Sequence, residues 1–394
     1  MRETCDVFLF GKRVDVAKFL RVHPGGSKVL RIFQNRDATE QFLSYHSPAA
    51  HRQLAAMARD APNAPEASCV SQSPIGRDFD ALRTRMVSMG LYQPAYADEA
   101  FKLSLTLTPG VVGARLMHAG MPALGAFLIG LSFYMCGWTA HDFLHHAVLK
   151  VTHKQLVHAN NAVGFALGMW QGLSPGWWRA RHNAHHIATN EVGNDPDIRT
   201  APALTFVRGS PELALQLNWV QRWQVYYYVP LMALLDLYWR VESVQYLASR
   251  RLRDTRVEWA MVACHYAVLA WVFSGQMAWL PYMSLVRGFL TGIVVFATHY
   301  GEEHLQGEHR QMTLVEQAAL TSRNITGGYL VNVFTGYISL QTEHHLFPMM
   351  PTAHLSKAQP LVRAFFKKHN LVYRESNLAE CVRYNIATLR LPSE

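Results

Sequence analysis

The chain has 394 residues, of which half are hydrophobic and only 16% are charged, and its formal net charge is +9. So low a charged fraction is unusual for a soluble protein, and no Lys/Arg-dense stripe with interleaved aromatic residues indicates a nucleic-acid partner. Basic residues instead lie near apolar stretches, a pattern typical of a membrane protein that faces anionic lipid on its cytoplasmic side. These residues are Arg250, Arg251, Arg253 and Arg256, then Arg363, Lys367 and Lys368.

The five cysteines are widely scattered and form no CxxC pair. This spacing predicts reduced thiols in a protein that faces the cytosol rather than a disulfide framework. No signal peptide precedes the first polar segment, so internal spans are expected to direct membrane insertion.

Residues 1–60 have the pattern of a small α+β unit. Strands are predicted at Val7–Leu9 and Val14–Val16, and a helix-like run later reaches Phe42. His23 opens a His-Pro-Gly-Gly turn, and His46 follows 23 residues later. Two facing imidazoles held by a small fold are a usual way to ligate haem iron at both axial positions. Residues 61–76 are rich in proline, alanine and serine and predict a linker to a larger domain at 77–394.

The larger domain is predicted to be mostly α and to cross a membrane about four times. Residues 103–140 are apolar apart from Arg115 and His118, and they are interrupted by proline and glycine, so they predict a helical hairpin. Trp259–Trp279 and Tyr282–Tyr300 predict a second hairpin with aromatic residues at its ends. The aromatic stretch from 225 to 235 is short and is expected to lie along the membrane interface. Buried hairpins inside a soluble fold are the alternative interpretation.

Three short histidine clusters follow these apolar segments. They are His141-Asp-Phe-Leu-His145-His146, His182-Asn-Ala-His185-His186 and Gln341-Thr-Glu-His344-His345. Residues four apart share a helix face, whereas adjacent residues point roughly 100° apart and can serve two different metal atoms. A shell of neutral imidazoles suits a redox metal such as iron better than magnesium or calcium. Structural zinc, the competing interpretation, closes with four ligands that usually include thiolate. The pattern therefore favours a two-metal, oxygen-activating site.

The predicted topology has a consequence for this site. The first two clusters follow one hairpin and the third follows the other, so an even number of spans brings all three to one side of the membrane. The N-terminal unit is expected on that same side.

Two resemblances to known families rest on these motifs. The order of the histidine boxes and the flanks 137–146, 177–186 and 341–351 resemble membrane fatty acyl desaturases. The N-terminal segments 19–26, 37–39 and 45–47 are similar to cytochrome b5 domains. An N-terminal cytochrome b5-like domain and a glutamine that opens the last box are features of the front-end desaturases.

The resemblance implies two iron ions and one haem b, together with their ligands. Gln341 is implied as a partner that contacts the ligands or a water molecule rather than the metal itself, and Asp142, Asn183 and Glu343 are candidates for orienting imidazoles. His23 and His46 are the implied haem ligands. The implied iron ligands are His141, His145, His146, His182, His185, His186, His299, His344 and His345.

The resemblance also implies the reaction, the partners and the location. It implies oxygen-dependent insertion of a cis double bond between an existing one and the carboxyl end of a polyunsaturated acyl chain, at the delta-5 or delta-6 position. The expected partners are an acyl substrate on coenzyme A or phospholipid, dioxygen, membrane lipid and NADH-cytochrome b5 reductase. The expected location is the endoplasmic reticulum membrane, with the histidine clusters and the haem domain facing the cytosol. The alternatives are a sphingolipid long-chain base desaturase, a lipid hydroxylase and a non-enzymatic, membrane-tethered haem electron carrier.

Overall fold

The computed structural model describes residues 4–23, 25–46, 48–150, 154–200, 203–206, 219–306 and 312–390. Helices dominate it, and a small mixed unit precedes them, as the sequence predicts. Pro24 of the predicted His-Pro-Gly-Gly turn lies outside the described residues. Short 3₁₀ turns connect the main elements at Ala17–Phe19, Glu66–Ser68, Val70–Gln72, Gln221–Trp223, Met277–Trp279 and Phe296–Thr298.

The N-terminal unit contains an antiparallel strand pair, β1 (Asp6–Leu9) and β2 (Lys12–Asp15), in which Val7 faces Val14. The two predicted strands are therefore confirmed to within a residue or two. The helix-like run is divided, however, because Asn35 adopts a positive φ of 59° and interrupts it. The helices of this unit are α1 (Ser27–Ile32), α2 (Thr39–Tyr45) and α3 (Pro48–Ala58).

The segment 61–76, predicted as a linker, follows the surface of the N-terminal unit. Ala64 donates its backbone N–H to the Gly11 carbonyl at 2.9 Å. Ser71 donates its N–H and its hydroxyl to Asp37 Oδ2, at 2.9 and 2.6 Å. The chain then enters α4 (Pro74–Ser88), where Ser73 caps the free backbone donors and Pro74 occupies the first turn.

The remaining helices form the larger domain. Its only described strands, β3 (Asn324–Thr326) and β4 (Glu375–Asn377), pair in parallel near the C-terminal end. The helices are α5 (Tyr96–His118), α6 (Pro122–Leu144), α7 (Lys154–Gln171), α8 (Pro175–Ile187), α9 (Gln224–Met232), α10 (Leu235–Ala248), α11 (Leu252–Val272), α12 (Leu280–Val295), α13 (Leu314–Thr321), α14 (Gly328–Phe334), α15 (Gln341–Leu346), α16 (Thr352–Lys368) and α17 (Leu378–Leu389).

The first predicted hairpin is formed by α5 and α6. The chain turns at Gly120, whose φ is +78°, whereas α5 continues through Pro109 without a break. The two helices approach closely because a Cβ on Gly113 would lie only 2.7 Å from the Gly125 carbonyl oxygen. Close packing of this kind requires glycine, since any side chain would push the backbones apart.

Among the described residues, two helical segments are long and apolar enough to cross a membrane, Pro122–Leu144 and Met277–Thr298. The prediction of about four spans is therefore supported for only two. The helices predicted to pair with them carry charges, such as Lys102 in α5 and Glu258 in α11, and these lower the hydropathy of both helices. Both side chains are buried in the protein rather than exposed on its surface. Of the two predicted hairpins, the second is not a tightly packed pair, because α11 packs mainly on α7 and α10 rather than on α12.

Candidate metal centre

The histidines of the three clusters lie at the ends of helices that meet in the interior. His141 lies in the last turn of α6 and His145 directly follows that helix, α8 carries the second cluster, and α15 carries the third. α8 begins sharply because Ser174 accepts a hydrogen bond from the Trp177 N–H at 2.9 Å and Pro175 occupies the first turn. These histidines are buried, except for the half-buried His182 and His146.

The imidazoles gather in two groups. The first contains His141, His145, His182, His186 and His344, and the second contains His185, His299 and His345. Within each group the nitrogens that face one another lie within 4.8 Å. In each adjacent pair one histidine belongs to each group: His186 and His344 lie in the first group, and His185 and His345 lie in the second.

The nitrogens in the first group approach to hydrogen-bond distance. His344 Nε2 lies 3.0 Å from His141 Nε2 and 3.1 Å from His186 Nε2, and His186 Nε2 is 2.9 Å from His182 Nε2. A neutral imidazole has only one N–H donor. The facing nitrogens of this group therefore cannot all form hydrogen bonds with one another. His145 Nε2 and His299 Nε2 are buried and have no hydrogen-bond partner among the described residues.

In several of these rings the Nδ1 atom, which faces away from the shared space, contacts a neighbouring polar group. His141 Nδ1 lies 3.0 Å from Asp142 Oδ1, and His299 Nδ1 lies 2.8 Å from the Thr321 carbonyl. Such contacts fix the tautomer and the orientation of the ring, and they direct Nε2 to the shared space.

Two further contacts of this type involve residues that the sequence reasoning missed. Asp195 Oδ2 is 3.0 Å from His185 Nδ1, and Thr189 Oγ1 is 3.1 Å from His345 Nδ1. Glu343, a predicted orienting residue, instead accepts hydrogen bonds from Asn324 and Tyr373, at 2.8 and 2.6 Å. Glu343 therefore holds α15 in position and does not orient an imidazole. Asn183 makes no hydrogen bond to a histidine within the described part of the chain.

Burial and charge set the protonation of these rings. Burial lowers the pKa of His182, His186, His344 and His345 well below the usual histidine value, and it lowers the pKa of His299 to about 3. Burial also acts to lower the pKa of His185, but Asp195 and Asp197 outweigh it and raise that pKa to about 9. Most of the rings are thus neutral, which is the form that binds a metal.

The donor set fits a pair of metal ions. Eight imidazoles in two adjoining groups exceed the four ligands of one zinc, and nitrogen donors suit iron. Gln341 Oε1 is buried beside the histidines without a hydrogen-bond partner among the described residues, as a water-mediated partner would be. His146 joins neither group: its backbone has a positive φ of 60°, and its Nε2 lies 3.1 Å from Asn161 Oδ1.

A narrow cavity opens onto both groups of histidines. Most of its wall is apolar or aromatic, which suits an alkyl chain and keeps water from the metal site. The aromatic and aliphatic side chains of the wall include Phe133, Trp138, Leu144, Trp177, Trp178, Trp239, Val295 and Ile338.

A buried charge network holds Asp142, the partner of His141. Lys102 of α5 donates to Asp142 and to Thr352 Oγ1, the latter at 2.7 Å, and it lies 2.7 Å from Glu99 Oε1. All four side chains are buried, so this network connects α5, α6 and α16 behind the metal site.

We expect Lys102→Met to lower the free energy of unfolding by about 3–5 kcal/mol, because it leaves buried carboxylates without their cation. Chemical denaturation of the purified protein in detergent measures the change. The double variant Lys102→Met/Asp142→Asn should recover part of it. Arg253→Met is the control, since Arg253 is 77% exposed in its pair with Asp254 and should leave stability unchanged. Equal stability of Lys102→Met and Arg253→Met would contradict the prediction.

The two predicted haem ligands face each other in the N-terminal unit. The ring centroids of His23 and His46 are 5.9 Å apart. His46 Nδ1 contacts the Phe42 carbonyl at 3.1 Å, and its ring stacks on Phe42, which leaves Nε2 for a ligand. Burial lowers the pKa of both rings, and that of His46 falls to about 4. His23 Nδ1 is buried with no hydrogen-bond partner in the described residues, so this pair fits two-sided ligation of haem iron.

Comparison with known proteins identifies two families. Fatty acid desaturase matches residues 119–377, and the cytochrome b5-like heme/steroid binding domain matches residues 4–61. An acyl-lipid 8-desaturase from Rebecca salina is 57% identical over 97% of this chain and 90% of its own length. A delta(8)-fatty-acid desaturase from Euglena gracilis is 31% identical over 93% of this chain and 90% of its own length. A delta(5) fatty acid desaturase from Caenorhabditis elegans is 28% identical over 90% of this chain and 87% of its own length.

Proposed function

This chain belongs to the fatty acid desaturase family and carries a cytochrome b5-like domain, and on that premise we propose that it inserts a cis double bond at carbon 8 of a polyunsaturated acyl chain. It is an oxidoreductase of the front-end type, and the cofactors of its families are a histidine-ligated di-iron centre and haem. The observation that supports the proposal best is the meeting of eight histidines, in two groups, at one apolar cavity.

We propose that each group of histidines holds one iron ion. The first would be held by His141, His145, His182, His186 and His344, and the second by His185, His299 and His345. Gln341 would act through a water molecule, and His146 is left out because it contacts Asn161. The iron pair, when bound, supplies the activation of dioxygen that removal of hydrogen from an unactivated methylene requires.

The chain's own residues would exclude water and align the substrate. The tryptophans of the cavity wall bury the alkyl chain next to the histidines, and the held Nδ1 atoms keep the ligand rings in fixed orientations. We propose that 1–60 is the haem domain, 61–76 the connecting segment and 77–394 the membrane domain.

The bond position is taken from the relatives. The sequence-based prediction of a delta-5 or delta-6 position is not supported, because the relative with 57% identity is an 8-desaturase. The term acyl-lipid in that name favours a lipid-bound chain over coenzyme A. We further propose a multi-pass protein of the endoplasmic reticulum membrane, with the histidines and the haem domain on the cytosolic side and NADH-cytochrome b5 reductase as the electron source.

Feeding defined acyl chains to cells that express the protein tests the reaction. A chain whose first double bond lies three carbons beyond carbon 8 should gain a double bond at carbon 8, detected by mass spectrometry of derivatised lipids. Isomers with the first double bond one carbon nearer to the carboxyl group are the matched control and should remain unchanged. Hydroxylated products, or unsaturated sphingoid bases without acyl products, would overturn the proposal.

A further inference from the structure

The N-terminal unit is packed against the helix that carries the second histidine cluster. Ala184, Ile187 and Ala188 belong to the same buried apolar cluster as Ile32 and Phe33 of the N-terminal unit. Polar contacts surround this apolar contact. Arg36 pairs with Glu191 at 3.1 Å, and Lys28 Nζ donates to the Asn194 carbonyl at 2.6 Å. The two haem-ligand candidates are thereby held at a fixed position relative to α8.

Tyr45 lies at the contact between the N-terminal unit and the metal site. It is the last residue of α2 and precedes His46 in the chain. Its ring meets the His186 ring edge to face, with the centroids 6.0 Å apart and the planes at 83°. The neighbouring Ser44 donates to the Leu346 carbonyl at 3.3 Å, so the end of α2 also touches the helix of the third cluster.

The hydroxyl group of Tyr45 makes no contact within the described part of the chain that would stabilise the fold. It is buried and has no hydrogen-bond partner among the described residues, which costs about 1–3 kcal/mol relative to a paired group. The contact that this side chain offers is therefore its aromatic ring, which meets the iron-ligand candidate His186, while its backbone leads directly into the haem-ligand candidate His46.

We propose that Tyr45 is the contact through which electrons pass from the haem held by His46 to the iron pair held at His186. This inference rests on the proposed function. In each transfer one electron leaves the haem, whose iron changes from ferrous to ferric, and one ferric ion of the pair becomes ferrous. Tyr45 is unchanged afterwards, and no bond forms or breaks. A packed aromatic ring favours this transfer because electron tunnelling decays more slowly through contacting atoms than across an empty gap.

Stopped-flow spectroscopy of the purified full-length protein tests the role of the ring. The haem is reduced anaerobically and mixed with dioxygen and acyl substrate, and its absorption reports reoxidation directly. Tyr45→Phe keeps the ring and should change the rate by less than about twofold, whereas Tyr45→Leu should slow it at least about tenfold. Tyr45→Met, which fills irregular gaps, is a second variant without a ring and should be slowed as well.

Three controls separate electron transfer from packing. The haem midpoint potential, the iron content and the rate of haem reduction by the reductase should match the unsubstituted protein in every Tyr45 variant. Arg36→Gln weakens the contact with Glu191 without touching Tyr45 and should slow reoxidation less than Tyr45→Leu does. His344→Ala, which removes a proposed iron ligand, gives the background rate of haem oxidation by dioxygen alone.

The results distinguish the two proposals. Unchanged reoxidation in both Tyr45→Leu and Tyr45→Met, with normal product formation, would overturn the role of Tyr45 and leave the desaturase proposal standing. If the unsubstituted protein reoxidises its haem no faster than His344→Ala and forms no unsaturated product, the proposed function itself fails. A changed midpoint potential in the slowed variants would assign the effect to the haem pocket and would likewise overturn the role of Tyr45.

Discussion

His344→Ala is expected to lower both bound iron and desaturation by more than about 100-fold, because loss of a ligand should exceed the 10–100-fold cost of losing a partner of a ligand. The Nε2 atom of His344 lies within 3.1 Å of the Nε2 atoms of both His141 and His186, so it is central to the first group. Iron content by elemental analysis and product yield from labelled acyl chains are the two measurements.

His146→Ala is the matched control for this prediction. It removes an imidazole from the first cluster, but the one that contacts Asn161 and lies in neither group. Iron content and desaturation should stay close to those of the unsubstituted protein. A loss in His146→Ala as large as that in His344→Ala would show that the observed grouping of the histidines does not describe the metal site.

The histidine pattern predicts which imidazoles meet because helix geometry is local. Spacings of three and four residues fix the face of α8 that carries the second cluster, and adjacent residues separate onto two sides. His146 shows where this reasoning stops. The sequence places it beside His145, but α6 ends there, and the positive φ of His146 directs its ring towards Asn161.

Asp195 could not be predicted because its position depends on contacts between distant segments. It lies in a loop without periodicity, and that loop is held by Asn190, which donates to the His299 carbonyl at 2.8 Å. The Asn190 backbone N–H in turn donates to Asp195 Oδ2 at 2.7 Å. The docking of the N-terminal unit on α8 was missed for the same reason. The proline and serine of 61–76 predict a linker, but they do not show that Ser71 is hydrogen-bonded to Asp37.

Charged residues within apolar helices explain why about four membrane spans are predicted but only two of the described helical segments are apolar enough to cross a membrane. By hydropathy, Lys102 is a charge near the start of α5 that lowers the apolar character of this helix. In the fold this side chain is buried against Asp142 and Thr352, where it supports the metal site. Hydropathy alone cannot distinguish a charge that is paired inside a bundle from one that faces lipid.

His23→Ala is expected to abolish haem binding and to reduce desaturation, with NADH and reductase as the only electron source, to the background of cells without the protein. His23 and His46 face each other at 5.9 Å, and loss of one ring removes two-sided ligation. The haem absorption spectrum and the product yield are measured together. Arg13→Ala is the control, because Arg13 lies in the same unit and pairs with Asp6 at its surface, and it should retain haem and activity.

The iron content of His23→Ala separates electron supply from damage to the fold. His23 has no ring contact with either group of histidines, so iron should remain bound at the level of the unsubstituted protein. A chemical reductant should then restore a single turnover, because only the source of electrons has been removed. Full activity without haem would mean that an external donor reaches the iron pair directly. A parallel loss of iron would instead mean that His23 acts by holding the N-terminal unit against α8.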